Sequence, residues 1–158
     1  MTQRLAALPF KAAPDTYQAM LNLSRAVSES GLEPSLIELI KIRVSQINGC
    51  AYCIHMHVTD ARKAGENEMR LHLLGAWRES SAFTARERAA LGWADSLTRV
   101  EQTQAPDADY LPLKAVFTEK EQVDLTLAIG MINSWNRLAV GFRLAHPAVP
   151  APVADVAA

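Results

Sequence analysis

The chain contains only two cysteines, Cys50 and Cys53, and His57 follows the second by four positions. If this C-x-x-C-x-x-x-H segment is helical, residues three, four and seven apart share one face, so the three side chains form a single stripe. His55 lies about 200° round the helix from Cys53 and falls outside that stripe. Two thiols and an imidazole on one face could form a dithiol/disulfide switch with a nearby base. The same set could instead bind zinc, or be two buried apolar thiols beside a structural histidine.

The residues before the cysteines favour the redox chemistry. Asn48-Gly49 is a turn or helix-stop signal, so Cys50 is expected in the first turn of a new helix. Free backbone N–H groups and the positive end of the helix dipole gather at such a start. Both stabilise a thiolate relative to a thiol, which makes a helix-start C-x-x-C reactive.

Length and charge limit the classes of function. The 158 residues predict one domain with a sizeable core. Sixteen basic residues are scattered among seventeen acidic ones and the net charge is −1, so no nucleic-acid partner is expected. We identify no signal peptide and expect a cytoplasmic protein. In that compartment a lone C-x-x-C is typical of catalysis or metal binding rather than of a structural disulfide.

The remaining pattern predicts an all-α fold, because no segment alternates convincingly with a period of two. The expected organisation is an N-terminal arm (residues 1–13), a helical domain (14–145) and a Pro/Ala-rich tail (146–158). Within the domain we predict helices over residues 15–30, from 34 to the Asn48-Gly49 turn, and over 50–64, 66–77, 85–100, 109–116 and 123–144. Capping boxes at Thr84 and Thr118 open two of them, and residues 78–83 and 102–108 are predicted loops.

The longest apolar segment, residues 123–144, is predicted to be a core helix rather than a membrane span. It carries charged and amide side chains in its interior, so it lacks the charge-free run of about 20 residues that a bilayer requires. Asn133, Asn136 and Arg137 share one face of this helix and are expected to support neighbouring helix ends.

The helix before the cysteines is apolar on too many faces to lie at the surface. Within it we expect Glu38 to point inward, and Lys41 and Arg43 to extend outward to solvent. A helix at this place also disfavours a thioredoxin-like protein, in which C-x-x-C occurs in a βαβ setting.

These residues resemble the carboxymuconolactone decarboxylase/AhpD superfamily, and more narrowly its alkylhydroperoxidase D-like branch. The signature of that branch is E-x11-C-x-x-C-x-x-x-H, which here runs from Glu38 to His57. Residues 117–125 and the segment from Ala128 to Arg137 also resemble the end of that domain, so the similarity covers residues 23–144. The resemblance implies an all-α protein that assembles into trimers or hexamers. It also implies a peroxidase or disulfide-reductase activity without metal or haem.

Carried over onto this sequence, the resemblance makes Cys53 the peroxidatic cysteine and Cys50 the resolving one. His57 would take the proton of Cys53, and Glu38 would orient His57. The substrate would be a hydroperoxide, and an external dithiol would be the reductant. Tyr52 stands where AhpD has a histidine and could line the substrate site. AhpD also has two related halves, whereas this chain has one copy of the motif.

Two other functions remain open at this point. A lyase resembling carboxymuconolactone decarboxylase would share the fold, although that activity does not need two cysteines. A redox-sensing or zinc-binding module would use the cysteines without enzymatic turnover. For Glu38, a simple ion pair with Arg137 is the alternative to a catalytic role.

Overall fold

A computed structural model describes residues 2–148, in which all regular secondary structure is helical, with no strand. The helices are α1 (Pro9–Ala12), α2 (Pro14–Ser28), α3 (Pro34–Ile47), α4 (Ala51–Lys63), α5 (Glu68–Leu73), α6 (Ala85–Thr98), α7 (Val100–Thr103), α8 (Asp107–Val116) and α9 (Glu119–Phe142), with a 3-10 turn at Leu74–Ala76. The predicted all-α fold is confirmed for these residues. None of their helices is long and apolar enough to cross a membrane.

Helix α3 is the centre of the fold, with α4, α6 and α9 packed around it. Its apolar residues cover several faces, and four of them are completely shielded from solvent: Leu39, Ile40, Ile42 and Val44. Burying each aliphatic side chain of this size stabilises the fold by about 1.5–3 kcal/mol. The core around α3 therefore holds the side chains at the contact between α3 and α4 in fixed positions.

Both predicted capping boxes are present. Thr84 and Thr118 each accept a hydrogen bond from the backbone N–H three residues on, and the carboxylates of Glu87 and Glu121 each accept one from the backbone N–H of the cap residue. The Glu121 carboxylate also accepts a hydrogen bond from Arg86, 2.5 Å away. These contacts hold the starts of α6 and α9 together.

The prediction that Lys41 and Arg43 extend to solvent is wrong. The Arg43 guanidinium lies 2.6 Å from the Asp95 carboxylate on α6, and Asp95 also accepts a hydrogen bond from the Trp77 indole. Lys41 forms an ion pair with Glu38 one turn earlier. Both cations lie inside because carboxylates from the same or a neighbouring helix compensate their burial.

The loop predicted at residues 102–108 is shorter than expected. Helix α7 ends at Thr103, and α8 begins at Asp107, two residues before the predicted start. Acidic side chains in the first turn of α8 interact favourably with the helix dipole, which explains the earlier start. Pro112 lies inside α8.

The N-terminal arm lies against the end of α9. The backbone N–H of Arg4 donates to the carbonyl of Phe142, and its guanidinium donates to that of Gly141. The arm also contains the short helix α1, which the sequence did not predict. Helix α9 ends at Phe142, two residues before its predicted end. Residues 146–148 are non-helical, as expected for the start of the tail, and residues 149–158 lie outside the described residues.

Candidate active site

The turn between α3 and α4 places the cysteines. Gly49 has φ of +65°, a left-handed conformation that glycine adopts without steric cost. Cys50, predicted as the first residue of this helix, is instead the N-cap residue of α4, one position before its start, and its N–H donates to the carbonyl of Ser45 at 3.0 Å. The turn therefore folds the chain back sharply and starts α4 against the end of α3.

Asparagines on α9 hold this turn in place. The Asn48 amide donates to the side-chain oxygens of Asn133 and Asn136, both at 2.9 Å. Asn136 in turn donates to the Ser45 hydroxyl, and Arg137 donates to Asn133. The predicted supporting role of these α9 residues agrees with these contacts, because they lock the turn that presents the cysteines.

Cys50 and Cys53 form a disulfide. The Cys53 N–H also donates to the sulfur of Cys50 at 3.3 Å, so the first cysteine caps the helix with its side chain. Only 1% of Cys50 and 2% of Cys53 are exposed, and the pair packs against Ala139 and Leu144 near the end of α9. The structure thus contains the oxidised form of the pair.

Glu38 and His57 are in direct contact across the α3–α4 boundary. His57 Nδ1 lies 2.9 Å from Glu38 Oε2, and Lys41 Nζ lies 2.8 Å from Glu38 Oε1. The side chains are 20% exposed for Glu38, 9% for His57 and 16% for Lys41. The alternative partner for Glu38 is not used, because Arg137 binds Asn133 instead.

The electrostatics of this contact fix the role of each ring nitrogen. Burial, the largest single effect, raises the pKa of Glu38, but hydrogen bonds from His57 and Lys41 and the Lys41 charge together lower that pKa below its ordinary value. Glu38 is therefore an ionised carboxylate at neutral pH and can only accept hydrogen bonds. His57 Nδ1 must then carry a hydrogen, which leaves Nε2 as the nitrogen that can take a proton.

A cavity of about 270 Å³ adjoins this group of residues. Cys53 lines it rather than Cys50, together with His57, Lys41 and Tyr52. The rest of its wall is largely apolar and aromatic and comes from α1, α2, α4, α9 and the residue Leu144 after α9: Pro9, Tyr17, Leu21, Ser24, Met56, Met131, Ile132, Trp135, Leu138, Ala139 and Leu144. A cysteine, a histidine and a lysine therefore line a mostly apolar space.

Glu38 lines a second, polar groove of about 500 Å³. The end of α2, the start of α3 and the end of α4 form its walls, and Asp60 and Glu66 add two acidic side chains. Glu38 and Lys41 both line this groove, and Lys41 also lines the cavity beside Cys53. His57 thus lines the apolar cavity, Glu38 lines the polar groove, and Lys41 lines both.

The four residues predicted as catalytic all lie at this place: Cys50, Cys53, His57 and Glu38. Tyr52 lines the cavity, and its role in binding a substrate stays a prediction. His55 points elsewhere and stacks on His146, with ring centroids 5.6 Å apart. Within residues 2–148 no three His, Cys, Asp or Glu side chains are arranged to hold a metal ion.

Lys41 is the site residue that the sequence analysis missed. The i,i+3 spacing from Glu38 to Lys41 is a signal for an ion pair on one helix face, and it could have identified this contact. The sequence does not show that this face also adjoins the cysteine helix, which is why Lys41 was expected to reach solvent.

Comparison with known proteins gives consistent matches. The model of the carboxymuconolactone decarboxylase family matches residues 14–96. The uncharacterised protein YdfG of Bacillus subtilis is 40% identical over 140 residues, which are 89% of this chain and 94% of YdfG.

Two solved structures add to this result. A protein of unknown function from Agrobacterium tumefaciens, described as a proposed antioxidant defence protein AhpD, superimposes with a TM-score of 0.90 at 46% identity, over 94% of this chain and 100% of that one. An uncharacterised peroxidase-related protein from Silicibacter sp. TM1040 gives a TM-score of 0.74 at 26% identity, over 83% of this chain and 70% of that one.

Proposed function

This chain belongs to the carboxymuconolactone decarboxylase family, and we propose that within it the protein is a thiol-dependent peroxidase of the AhpD-like branch. The observation that carries the proposal is the wall of the apolar cavity. There Cys53, bonded to Cys50, lies with His57, whose ring is held by the carboxylate of Glu38. The description of the similar Agrobacterium protein as an antioxidant defence protein supports the same function.

The cycle starts from the reduced pair. His57 Nε2 accepts the proton of the Cys53 thiol, and the resulting thiolate attacks the outer oxygen of a hydroperoxide, ROOH. The O–O bond breaks, Cys53 becomes a sulfenic acid, and the leaving alkoxide takes the proton from His57 to give the alcohol. Because Cys53 rather than Cys50 lines the cavity, we assign the attack to Cys53.

Cys50 then closes the cycle. Its thiol condenses with the sulfenic acid of Cys53, releasing water and forming the disulfide. An external dithiol reduces that disulfide by thiol–disulfide exchange. Overall, one hydroperoxide and one dithiol give one alcohol, one water and one disulfide, so the cycle needs no metal or haem.

The apolar wall of the cavity would serve the first step. It excludes water from the thiolate and accepts the organic part of a hydroperoxide, with Tyr52 as one of the contacts. Assembly into a trimer or hexamer and a cytoplasmic location stay predictions of the family resemblance and of the sequence.

The proposal is tested by turnover of the reduced protein with cumene hydroperoxide and dithiothreitol, followed as alcohol formed. Cys53→Ser should abolish turnover, because it removes the attacking sulfur. Cys50→Ser is the matched variant. Mixed with peroxide in the absence of dithiothreitol, it should consume one equivalent and then stop, with a sulfenic acid that dimedone traps at Cys53. Full turnover by Cys53→Ser would refute the mechanism, and no turnover by the wild-type protein would favour the lyase or sensor function.

A further inference from the structure

Lys41 is the one cation that contacts the predicted relay among the described residues. It lies one turn after Glu38 on α3 and lines both the apolar cavity and the polar groove. Its ammonium holds Glu38 Oε1 at 2.8 Å, while His57 holds the other oxygen of the same carboxylate at 2.9 Å. Each carboxylate oxygen therefore has its own donor, one from α3 and one from α4.

The ammonium is one of the two donors, with His57, that make this carboxylate less basic. Burial alone raises the pKa of Glu38, and Lys41 contributes both a hydrogen bond and a charge that lower it again. The other ionisable groups that line the groove are Asp60 and Glu66, which are acidic and cannot replace that effect. Without Lys41, Glu38 would be held as an anion only by its contact with His57.

We propose that Lys41 is a positioning residue of the proton relay, which acts through Glu38 and His57 on Cys53. Its ammonium keeps Glu38 ionised, so that His57 Nδ1–H stays directed at the carboxylate and Nε2 stays open for the proton of Cys53. The positioning of Glu38 and His57 by Lys41 does not depend on the proposed function. Only the reaction of Cys53 with a hydroperoxide rests on it.

Lys41 also determines where the proton rests. The ammonium weakens Glu38 as a base, so the proton taken from Cys53 remains on the imidazole as an imidazolium beside the carboxylate. From there it returns to the leaving alkoxide in the same step that breaks the O–O bond. If the proton passed on to Glu38, it would be lost towards the groove and would no longer be available to the alkoxide.

The test measures Cys53 reactivity without peroxide. In a Cys50→Ser background Cys53 is the only thiol, and its alkylation by iodoacetamide is followed from acidic to alkaline pH. We expect Lys41→Met to shift the acidic limb of the rate profile to higher pH and to slow alkylation at pH 6 by about tenfold. This is smaller than the rate loss of about 100-fold or more that removal of an acid–base group itself causes, because Lys41 acts only through Glu38 and His57. Lys41→Arg, which keeps the charge, should restore the profile of the parent.

Two further variants separate positioning from a general structural effect. Lys41→Gln keeps a polar side chain without charge and should behave as Lys41→Met, and it serves in its place if the methionine variant does not fold by circular dichroism. In a Glu38→Gln background, Lys41→Met should cause no additional loss, because the residue through which Lys41 acts has been removed.

An unchanged profile in Lys41→Met, a failure of Lys41→Arg to restore it, or an equal loss in the Glu38→Gln background would overturn the proposal. The outcome is distinguishable from failure of the peroxidase function. If Lys41 controls alkylation of Cys53 but the wild-type protein turns over no hydroperoxide, the relay stands and the peroxidase function is wrong.

Discussion

Replacement of Glu38 by glutamine gives the sharpest test of the relay at a single position. The carboxylate accepts hydrogen bonds from His57 at 2.9 Å and from Lys41 at 2.8 Å. Glutamine has the same shape, but an NH₂ group replaces one of the two oxygens. That group is itself a donor and cannot accept the hydrogen bond that the oxygen accepted, so only one of the two contacts survives. Either His57 loses its orientation or Lys41 loses its partner.

The size of the effect follows from that lost contact. A hydrogen bond to a charged group contributes about 1.5–3 kcal/mol. A difference of about 1.4 kcal/mol changes an equilibrium tenfold, so loss of the orientation in the transition state should slow oxidation of the reduced protein by about 10- to 100-fold.

The assay is a single turnover by stopped flow. Reduced protein is mixed with cumene hydroperoxide, and tryptophan fluorescence reports disulfide formation, because Trp135 lines the cavity beside Cys53. Asp60→Asn is the matched control, since it removes a carboxylate from the groove that Glu38 lines; the Asp60 side chain is 54% exposed and lies outside the relay. A Glu38→Gln protein that melts normally and oxidises at the wild-type rate would refute the role of Glu38.

Three further predictions concern the acid stability, the core and the cavity. Hydrogen bonds from the Thr118 backbone and from Arg86 lower the pKa of Glu121 from 4.5 to about 2. Its stabilisation is therefore present above the unfolded-state pKa and is lost as the pH falls through the folded-state value. In a plot of unfolding free energy against pH, Glu121→Gln should flatten the acidic limb, whereas Glu119→Gln in the same turn should not. The same pH dependence in both variants would contradict this prediction. Asp95→Ala removes the partner of a nearly buried Arg43 and should lower the unfolding free energy in urea by about 3–5 kcal/mol; wild-type stability would show that the pair is not needed. Leu138→Trp should fill the cavity, slowing reduction of cumene hydroperoxide more than that of hydrogen peroxide; equal slowing would mean that the organic substrate binds elsewhere.

The helices and their starts could be predicted because the signals are local. Both capping boxes, the Asn48-Gly49 turn and the apolar faces depend on residues a few positions apart, and each lies within a few residues of its predicted place. The cysteine stripe was predictable for the same reason: Cys53 and His57 lie one helical turn apart and are both buried.

The partners of charged residues could not be predicted in this way. Arg43 pairs with Asp95, 52 positions away, and nothing in the local pattern identifies that carboxylate. The pattern around Lys41 gives its helix face but not the position of that face beside α4. The contact of Glu38 with His57 was expected from the family signature and not from spacing alone.

The shape of the candidate site was also beyond the sequence. Tyr52 and Trp135 line one cavity only because α9 returns beside the start of α4. The Asn48 contacts with Asn133 and Asn136 fix that return, over a separation of more than 80 residues. The cavity is thus a product of long-range packing, whereas the reactive motif is local.

The most direct test of the central claim is the intact mass of the reduced protein before and after one equivalent of cumene hydroperoxide. The proposed cycle predicts a metal-free protein that loses two hydrogens when Cys50 and Cys53 join and regains them with dithiothreitol. A protein that carries zinc at the start, or whose thiols keep their mass in the presence of the peroxide, would contradict it.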